Sequence, residues 1–316
     1  MAQNVKNRKI SIIDTGFSAK ADKEGKRLLN KDGSFNVRKT GLRFMERFNV
    51  YHWLIGMSWP RFFLVLFSGY IFVNLLFATA YFIAGIEGLS GRHDNDVFGQ
   101  FLEAFYFSSQ TLTTVGYGFY SPISEFHSLL AAFESFMGLM SFAMATGLLY
   151  GKFSRPKTRL VFSENAIISP YKNGLNGLMI RLANAKDNQL TNVSAIMMVS
   201  WIDNNSEEQS RKYYSLSLEI NSIYMMATSW TLVHPINEDS PIFGMSLEQL
   251  EECEAEVILQ LEGFDETYSQ HVHSRTSYKS DEIVWGAKFV SILGHDGDYA
   301  TLSMDEVGSY KEAELN

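Results

Sequence analysis

From Phe62 to Gly85 the chain reads FFLVLFSGYIFVNLLFATAYFIAG, without one charged residue. As a helix such a run is long enough to cross a hydrocarbon core of about 30 Å. A second run, SFMGLMSFAMATGLLYG at 135–151, is also uncharged, and residues 126–133 extend it with only Glu134 between. Buried helices of a soluble core rarely run this far without a charge. Two membrane spans are therefore expected, at 60–85 and 126–152. A mean hydropathy of −0.07 averages over a segregated chain and hides them. The first 40 residues are polar and charged, so no cleavable signal peptide is expected. The single cysteine, Cys253, excludes an internal disulfide framework and is read as a buried, inert thiol.

Charge is segregated too. Residues 1–60 hold 12 Lys+Arg against 5 Asp+Glu, residues 61–159 hold 6 of each, and residues 160–316 hold 9 against 24. Arg61 precedes the first span, and Lys152, Arg155, Lys157 and Arg159 follow the second; the connection between spans carries Glu87, Arg92, Asp94, Asp96, Glu103 and Glu125. Positive charge favours the cytoplasmic side, so both termini are expected there, in a multi-pass protein of the inner (plasma) membrane.

The segments follow. Residues 1–42 lack large apolar residues in any period and read as a tail, partly ordered at best. In 43–58, Phe44, Phe48, Tyr51, Leu54 and Ile55 fall at helical spacing beside Trp53 and Trp59. That pattern predicts an amphipathic helix on the inner membrane surface, ended by Pro60. The pore region spans 59–157. Within it, VFGQFLEAFYFSSQTL at 97–112 is too short to cross and reads as a re-entrant helix. From 158 to 316 the texture is of short β-prone runs (RLVF, NAIIS, GLMIRLAN, SAIMMVSWI, IYMMATSWTLV, AEVILQLEG, DEIVWGAKFVSIL, DYATLSM) separated by turn residues. One helix, SLEQLEECE, interrupts, with Ser246 and Gln249 at capping-box spacing. The expectation is an α-helical membrane domain followed by an all-β, immunoglobulin-like sandwich in the cytoplasm.

The re-entrant helix delivers TLTTVGYGFY back into the membrane, where non-helical backbone is tolerated only against protein or a water-filled path. Carbonyls of a regular strand alternate sides. Alternating the handedness of successive residues aligns them, and glycine takes the left-handed conformation without steric cost. Gly116 and Gly118 thus suit a filter at 113–118, in which the carbonyls of Thr114, Val115, Gly116 and Tyr117 replace the hydration shell of a cation. Tyr117 is expected to brace the strand against the preceding aromatic helix. The string TVGYG itself resembles the potassium-channel filter, and that resemblance identifies the ion as K+. One chain supplies one wall, so a closed ring of copies is expected.

The resemblance extends beyond the filter. SWP at 58–60, AFYFSSQTLTTVGYG at 104–118, FSRPKTRLVFSENAIIS at 153–169, MIRLAN at 179–184, HPINEDSPIFG at 234–244 and SRTSYKSDEIVWGAKFV at 274–290 are similar to the inward-rectifier potassium channels, especially the prokaryotic branch. The resemblance implies a homotetramer, with Gly138 as a bending point of the inner helix and Tyr150 as a bulky residue at its inner crossing. Phe142 stands where strongly rectifying members have an acid, which puts strong block by Mg2+ or polyamines in doubt; Glu262 and its neighbours could supply a weaker site. Residues 265–271, with Ser269 and Gln270, correspond to a loop that forms a cytoplasmic constriction. Arg43, Arg47, Lys152, Arg155, Lys157 and Arg159 match positions through which anionic phospholipid or phosphoinositide acts.

Glu134 admits two readings: a support behind the filter, paired with Gln110 on the pore helix, or a partly hydrated residue near the outer boundary. His234, His271 and His273 lack accompanying ligands at metal spacing and read as structural; a pH-sensing role at the vestibule is the other option. No nucleophile–base set or phosphate loop announces an enzyme, and neither an organic cofactor nor nucleic acid is expected. The rivals to a selective channel are a poorly selective cation channel and a membrane-anchored sensor or binding module.

Overall fold

The computed structural model describes residues 27, 29–37, 40–41, 49–91, 96–154, 159–186, 188–203 and 210–316. The chain forms two compact units: residues 40–155, and residues 1–39 together with 156–316.

In the first unit a short helix α1 (Val50–Gly56) is capped by Asn49, whose side chain accepts from the His52 N–H at 3.1 Å. Of the predicted 43–58 helix, residues 43–48 lie outside the described residues. The first long helix, α2 (Trp59–Ala84), starts with Pro60 in its first turn, where no N–H is needed, and stops at Gly85 with φ 102°. A 16-residue helix α3 (Val97–Leu112) follows, then α4 (Glu125–Phe153), capped by Ser124. Both α2 and α4 are long and apolar enough to span a membrane. Two two-residue strands, β1 (Leu89–Ser90) and β2 (Ser121–Pro122), pair antiparallel. The packed centre is Ala78 and Tyr81 of α2 against Ala104 and Phe107 of α3, with Ile86 and Leu89. Between lipid-immersed helices such contact is stabilised by van der Waals packing and hydrogen bonds.

The second unit is a β-sandwich. One five-stranded sheet has the order β11 (Gln270–Lys279), β10 (Glu256–Asp265), β6 (Leu190–Asp203), β7 (Ser210–Leu216), with β8 (Ser222–Met226) also on β6. The other has β12 (Ile283–Trp285), β4 (Ala166–Pro170), β5 (Asn176–Asn184), β3 (Leu160–Phe162), with β9 (Ser229–Ile236) on β5. Their inner faces meet in one core that includes Ile168, Leu178, Ile180, Met197, Leu232 and Leu259. Further small pairs are β13 (Ala287–Phe289) with β16 (Tyr310–Glu312), and β14 (Leu293–Asp296) with β15 (Tyr299–Leu302). Helix α5 (Leu247–Glu252) carries the capping box that the spacing predicts, with Ser246 and Gln249 each bonding the other's backbone.

Three details depart from the sequence reading. The run IYMMATSWTLV is two strands, β8 and β9, and β7 was not foreseen. The expected loop at 265–271 is a tight hairpin turn: Asp265 ends β10, residues 266–269 turn, and Gln270 and His271 begin β11. The Asp265 carboxylate makes that tight turn possible, accepting from the Thr267 and Tyr268 N–H groups at 3.0 and 3.4 Å. Part of the expected tail is packed: Leu29 is buried with Tyr213 and Ile258, its carbonyl accepts from the Ser277 hydroxyl at 2.5 Å, and Arg27 pairs with Glu282.

His234 is buried on β9, bonded through Nδ1 to the Ser217 carbonyl (2.7 Å) and through Nε2 to the Ser240 hydroxyl (2.8 Å). This is the structural role the sequence suggested. Burial pushes its proton affinity below the usual histidine value, against the opposing pull of the Ser217 carbonyl. The unfolded chain then takes up a proton near pH 6.5 while the folded one does not, so the stabilisation is present above that pH and lost as pH falls. Thermal melts of this domain should fall in midpoint as pH drops below about 6.5, and His234→Gln should flatten that dependence. Identical pH profiles would contradict it. Cys253 is half-buried, less than expected, and burial raises its thiol above the ordinary value.

Candidate ion-conduction site

Helix α3 ends in a set of overlapping bonds that launch the next five residues. The Thr113 N–H and hydroxyl donate to the Ser109 carbonyl at 3.2 and 2.6 Å, the Thr114 N–H to Thr111 at 3.1 Å, and the Val115 N–H to Gln110 at 2.9 Å. The backbone then alternates: φ is +59° at Thr114, +56° at Gly116 and +82° at Gly118, and it is not positive at Val115 or Tyr117. The two glycines behave as their chemistry predicts. Thr114 also takes the left-handed conformation, which costs a side chain about 1–2 kcal/mol. Its position at the end of a hydrogen-bonded helix terminus is what imposes it. The Tyr117 ring does not lie on the chain's own pore helix as expected; it is 79% exposed, and Val115 and Phe119 are exposed too.

Behind this segment Glu134 is fully buried, which removes the hydrated reading. It accepts from the Tyr81 hydroxyl at 2.7 Å and the Ser108 hydroxyl at 2.5 Å. The sequence suggested Gln110 as its partner; instead the buried Gln110 Oε1 has no hydrogen-bond partner among the described residues. Sequence reasoning missed Tyr81 and Ser108, although a hydroxyl in an apolar span is itself a signal, since hydrocarbon offers it no partner. Gly138, one turn after Glu134, abuts the end of α3: a Cβ there would stand 2.0 Å from the Leu112 carbonyl oxygen. Close approach, beyond any freedom to bend, accounts for this glycine.

Beside the 113–118 segment an apolar cleft of about 730 Å³ is lined by residues including Val65, Tyr70, Thr114, Gly138, Phe142 and Met144. Phe142 and Tyr150 project from α4, and each is about three-quarters exposed in the single chain. At the inner end of α4, Lys152 donates to the carbonyls of Ile55 (3.3 Å) and Met57 (2.5 Å) and lies over the rings of Trp59 and Phe62. Expected at lipid headgroups, it here caps α1. Arg159 is exposed near the start of the second unit, whereas Arg43, Arg47, Arg155 and Lys157 lie outside the described residues.

On the second unit Ser269 and Gln270 stand exposed at the β10–β11 turn. On the same hairpin the exposed His271 and Glu262 approach to 3.4 Å, and His273 is the register partner of Glu262. Among the described residues no group of three or more His, Cys, Asp and Glu side chains is arranged to hold a metal ion.

Two family models match. Residues 62–154 match a model described as ion channel, and residues 160–308 one described as the inward rectifier potassium channel C-terminal domain. The chain is 34% identical to the inward rectifier potassium channel Kirbac3.1 of Paramagnetospirillum magnetotacticum, over 84% of this chain and 89% of that protein. It is 30% identical to the ATP-sensitive inward rectifier potassium channel 12 of Gallus gallus, over 84% of this chain and 67% of that one. With inward rectifier potassium channel 4 of Homo sapiens it shares 28%, over 86% and 69%. These matches cover the membrane helices, the filter segment and the β-sandwich alike. The chain belongs to the inward-rectifier potassium channels, a family of membrane ion channels and not of enzymes, on its prokaryotic side.

Proposed function

We propose that four copies of this chain surround one axis and pass K+ passively, down its gradient, through the oxygens of Thr114, Val115, Gly116 and Tyr117, with Gly118 completing the filter. The observation that carries the reading is the alternation of positive φ at Thr114, Gly116 and Gly118. Such alternation aligns successive carbonyls, and a ring of them replaces a hydration shell. Exposed Val115 and Tyr117 then pack against neighbouring copies. Both termini face the cytoplasmic side of the inner membrane, a reading supported by the positive charge flanking the spans.

The α4 helices form the gate, with Tyr150 at the narrow point and Gly138 near the level of the filter. Phe142 offers no charge for a cavity blocker, so Mg2+ or polyamine block is weak and acts at Glu262. Ser269 and Gln270 narrow the cytoplasmic part of the path. Anionic phospholipid or phosphoinositide modulates opening through Arg43, Arg47, Arg155, Lys157 and Arg159, each basic group contributing about 1 kcal/mol at a negative surface. Lys152 joins this set only by leaving the Ile55 and Met57 carbonyls. Glu134 supports the filter from behind.

Uptake of rubidium into proteoliposomes tests this. Barium-sensitive uptake that exceeds sodium uptake by at least about 100-fold is expected, since carbonyl rings of this type discriminate strongly. Equal sodium uptake would indicate a nonselective pore, and no uptake a sensor module. Graded anionic lipid should change the flux; indifference at every dose would remove the lipid role.

A further inference from the structure

We propose that Tyr81 is a positioning residue for the potassium filter, acting through Glu134 on Ser108 of the pore helix. The inference rests on the channel reading and adds to it the residue that holds the support in place.

The three side chains come from three helices: Tyr81 from α2, Ser108 from α3 and Glu134 from α4. All three are fully buried. Tyr81 donates to one carboxyl oxygen and Ser108 to the other, so a single carboxyl joins the whole membrane unit. Among the described residues Glu134 has no ion-pair partner, so these two hydroxyls are what orient it. Ser108 has one proton to give; its 2.5 Å contact is to Glu134, while Asn74 Oδ1 is farther, at 3.1 Å.

The geometry transmits position to the filter. Ser108 and Leu112 are one turn apart on α3, as are Glu134 and Gly138 on α4. The two helices therefore meet twice in register, by hydrogen bond at Ser108 and by backbone contact at Leu112. The second contact lies immediately before the filter. Rotation of α3 about its axis is blocked only while both hold.

Tyr81 is itself held. Its ring stacks on His127 at 5.8 Å and meets Phe107 edge-on at 5.0 Å. His127 is pinned in turn by the Ser124 hydroxyl at 2.7 Å and by Gly88, where a Cβ would come within 2.2 Å of the imidazole. The hydroxyl of Tyr81 therefore has one place to point.

The test uses full-length channel in proteoliposomes, reading the sodium-to-potassium uptake ratio at equal tetramer content. Tyr81→Phe keeps the ring and removes only the hydroxyl; it should raise that ratio by about tenfold, the effect of one lost buried hydrogen bond. Because Tyr81 acts through Glu134, Tyr81→Phe on top of Glu134→Gln should add nothing. Ser108→Thr, which retains a hydroxyl, should keep the wild-type ratio, and Ser108→Ala should not. A merely structural role would lower tetramer yield and leave the ratio alone. Should Tyr81→Phe fail to assemble, the Ser108 pair decides. A ratio within twofold of wild type for Tyr81→Phe, or for Ser108→Ala, overturns the proposal, as does a double variant whose losses add. Wild-type protein that admits sodium as readily as potassium would sink the channel reading, and this one with it.

Discussion

Gly138→Ala channels are expected to lose most of their assembled tetramer and nearly all potassium flux. The added methyl would stand 2.0 Å from the Leu112 carbonyl oxygen, 2.9 Å from its carbon and 3.1 Å from its Cα. All three are backbone atoms, so no side-chain rotation relieves the overlap. Either α4 bends away or the end of α3 shifts, and the segment proposed as the filter starts at the residue after Leu112. Overpacking of a close contact costs about 1–3 kcal/mol, and here every copy in the ring bears it. Gly69→Ala and Gly147→Ala supply the controls, because neither position has a heavy atom within 4 Å of the new methyl. Each should be neutral or gain up to about 1 kcal/mol from helix propensity. Were Gly138 needed only for bending, its alanine variant would assemble normally and stay selective, with altered opening. Detergent-resistant tetramer measured beside flux separates the two outcomes.

Gly116→Ala should assemble yet lose discrimination against sodium. Here φ is +56° and no heavy atom lies within 4 Å of a built Cβ, so the penalty is conformational and not steric. A left-handed alanine costs about 1–2 kcal/mol, and the residue can escape it by turning its peptide out of line. Each of the four walls would then lose an aligned oxygen. Potassium flux should fall at least about tenfold, as a misplaced coordination shell no longer offsets dehydration. Unchanged rubidium-over-sodium selectivity in this variant would contradict the alternating-handedness account of the filter.

The fold class was legible because it rests on segregation: uncharged runs at 62–85 and 135–151 admit little but spanning helices, and short β-prone runs after 158 admit little but a sandwich. The left-handed backbone at Gly116 and Gly118 was legible because glycine alone is neutral to handedness. What escaped was set by tertiary context. Thr114 is left-handed because of the bonds that end α3, which no propensity encodes. Tyr81 and Ser108 sit 53 and 26 positions from Glu134 in a chain whose local pattern says only span and short helix; pairing them needs the packing of three helices. Strand β7, SRKYYSL, carries charges at its start and was masked by that polarity, although Tyr213 and Tyr214 are buried in the sandwich. The 1–42 segment read as a tail because its large apolar residues follow no period, yet Leu29 is buried.

That docked Leu29 bears on how the molecule is made. The β-sandwich unit is discontinuous, with both long helices and the 113–118 segment inserted between residues 39 and 156. Ser277, which bonds the Leu29 carbonyl, is 248 positions downstream. At ribosomal speeds of about 5–20 residues per second, the early segment waits on the order of 10–50 s for its binding site to exist. Synthesis of both long helices therefore precedes closure of the sandwich, and Leu29 stays undocked throughout that interval.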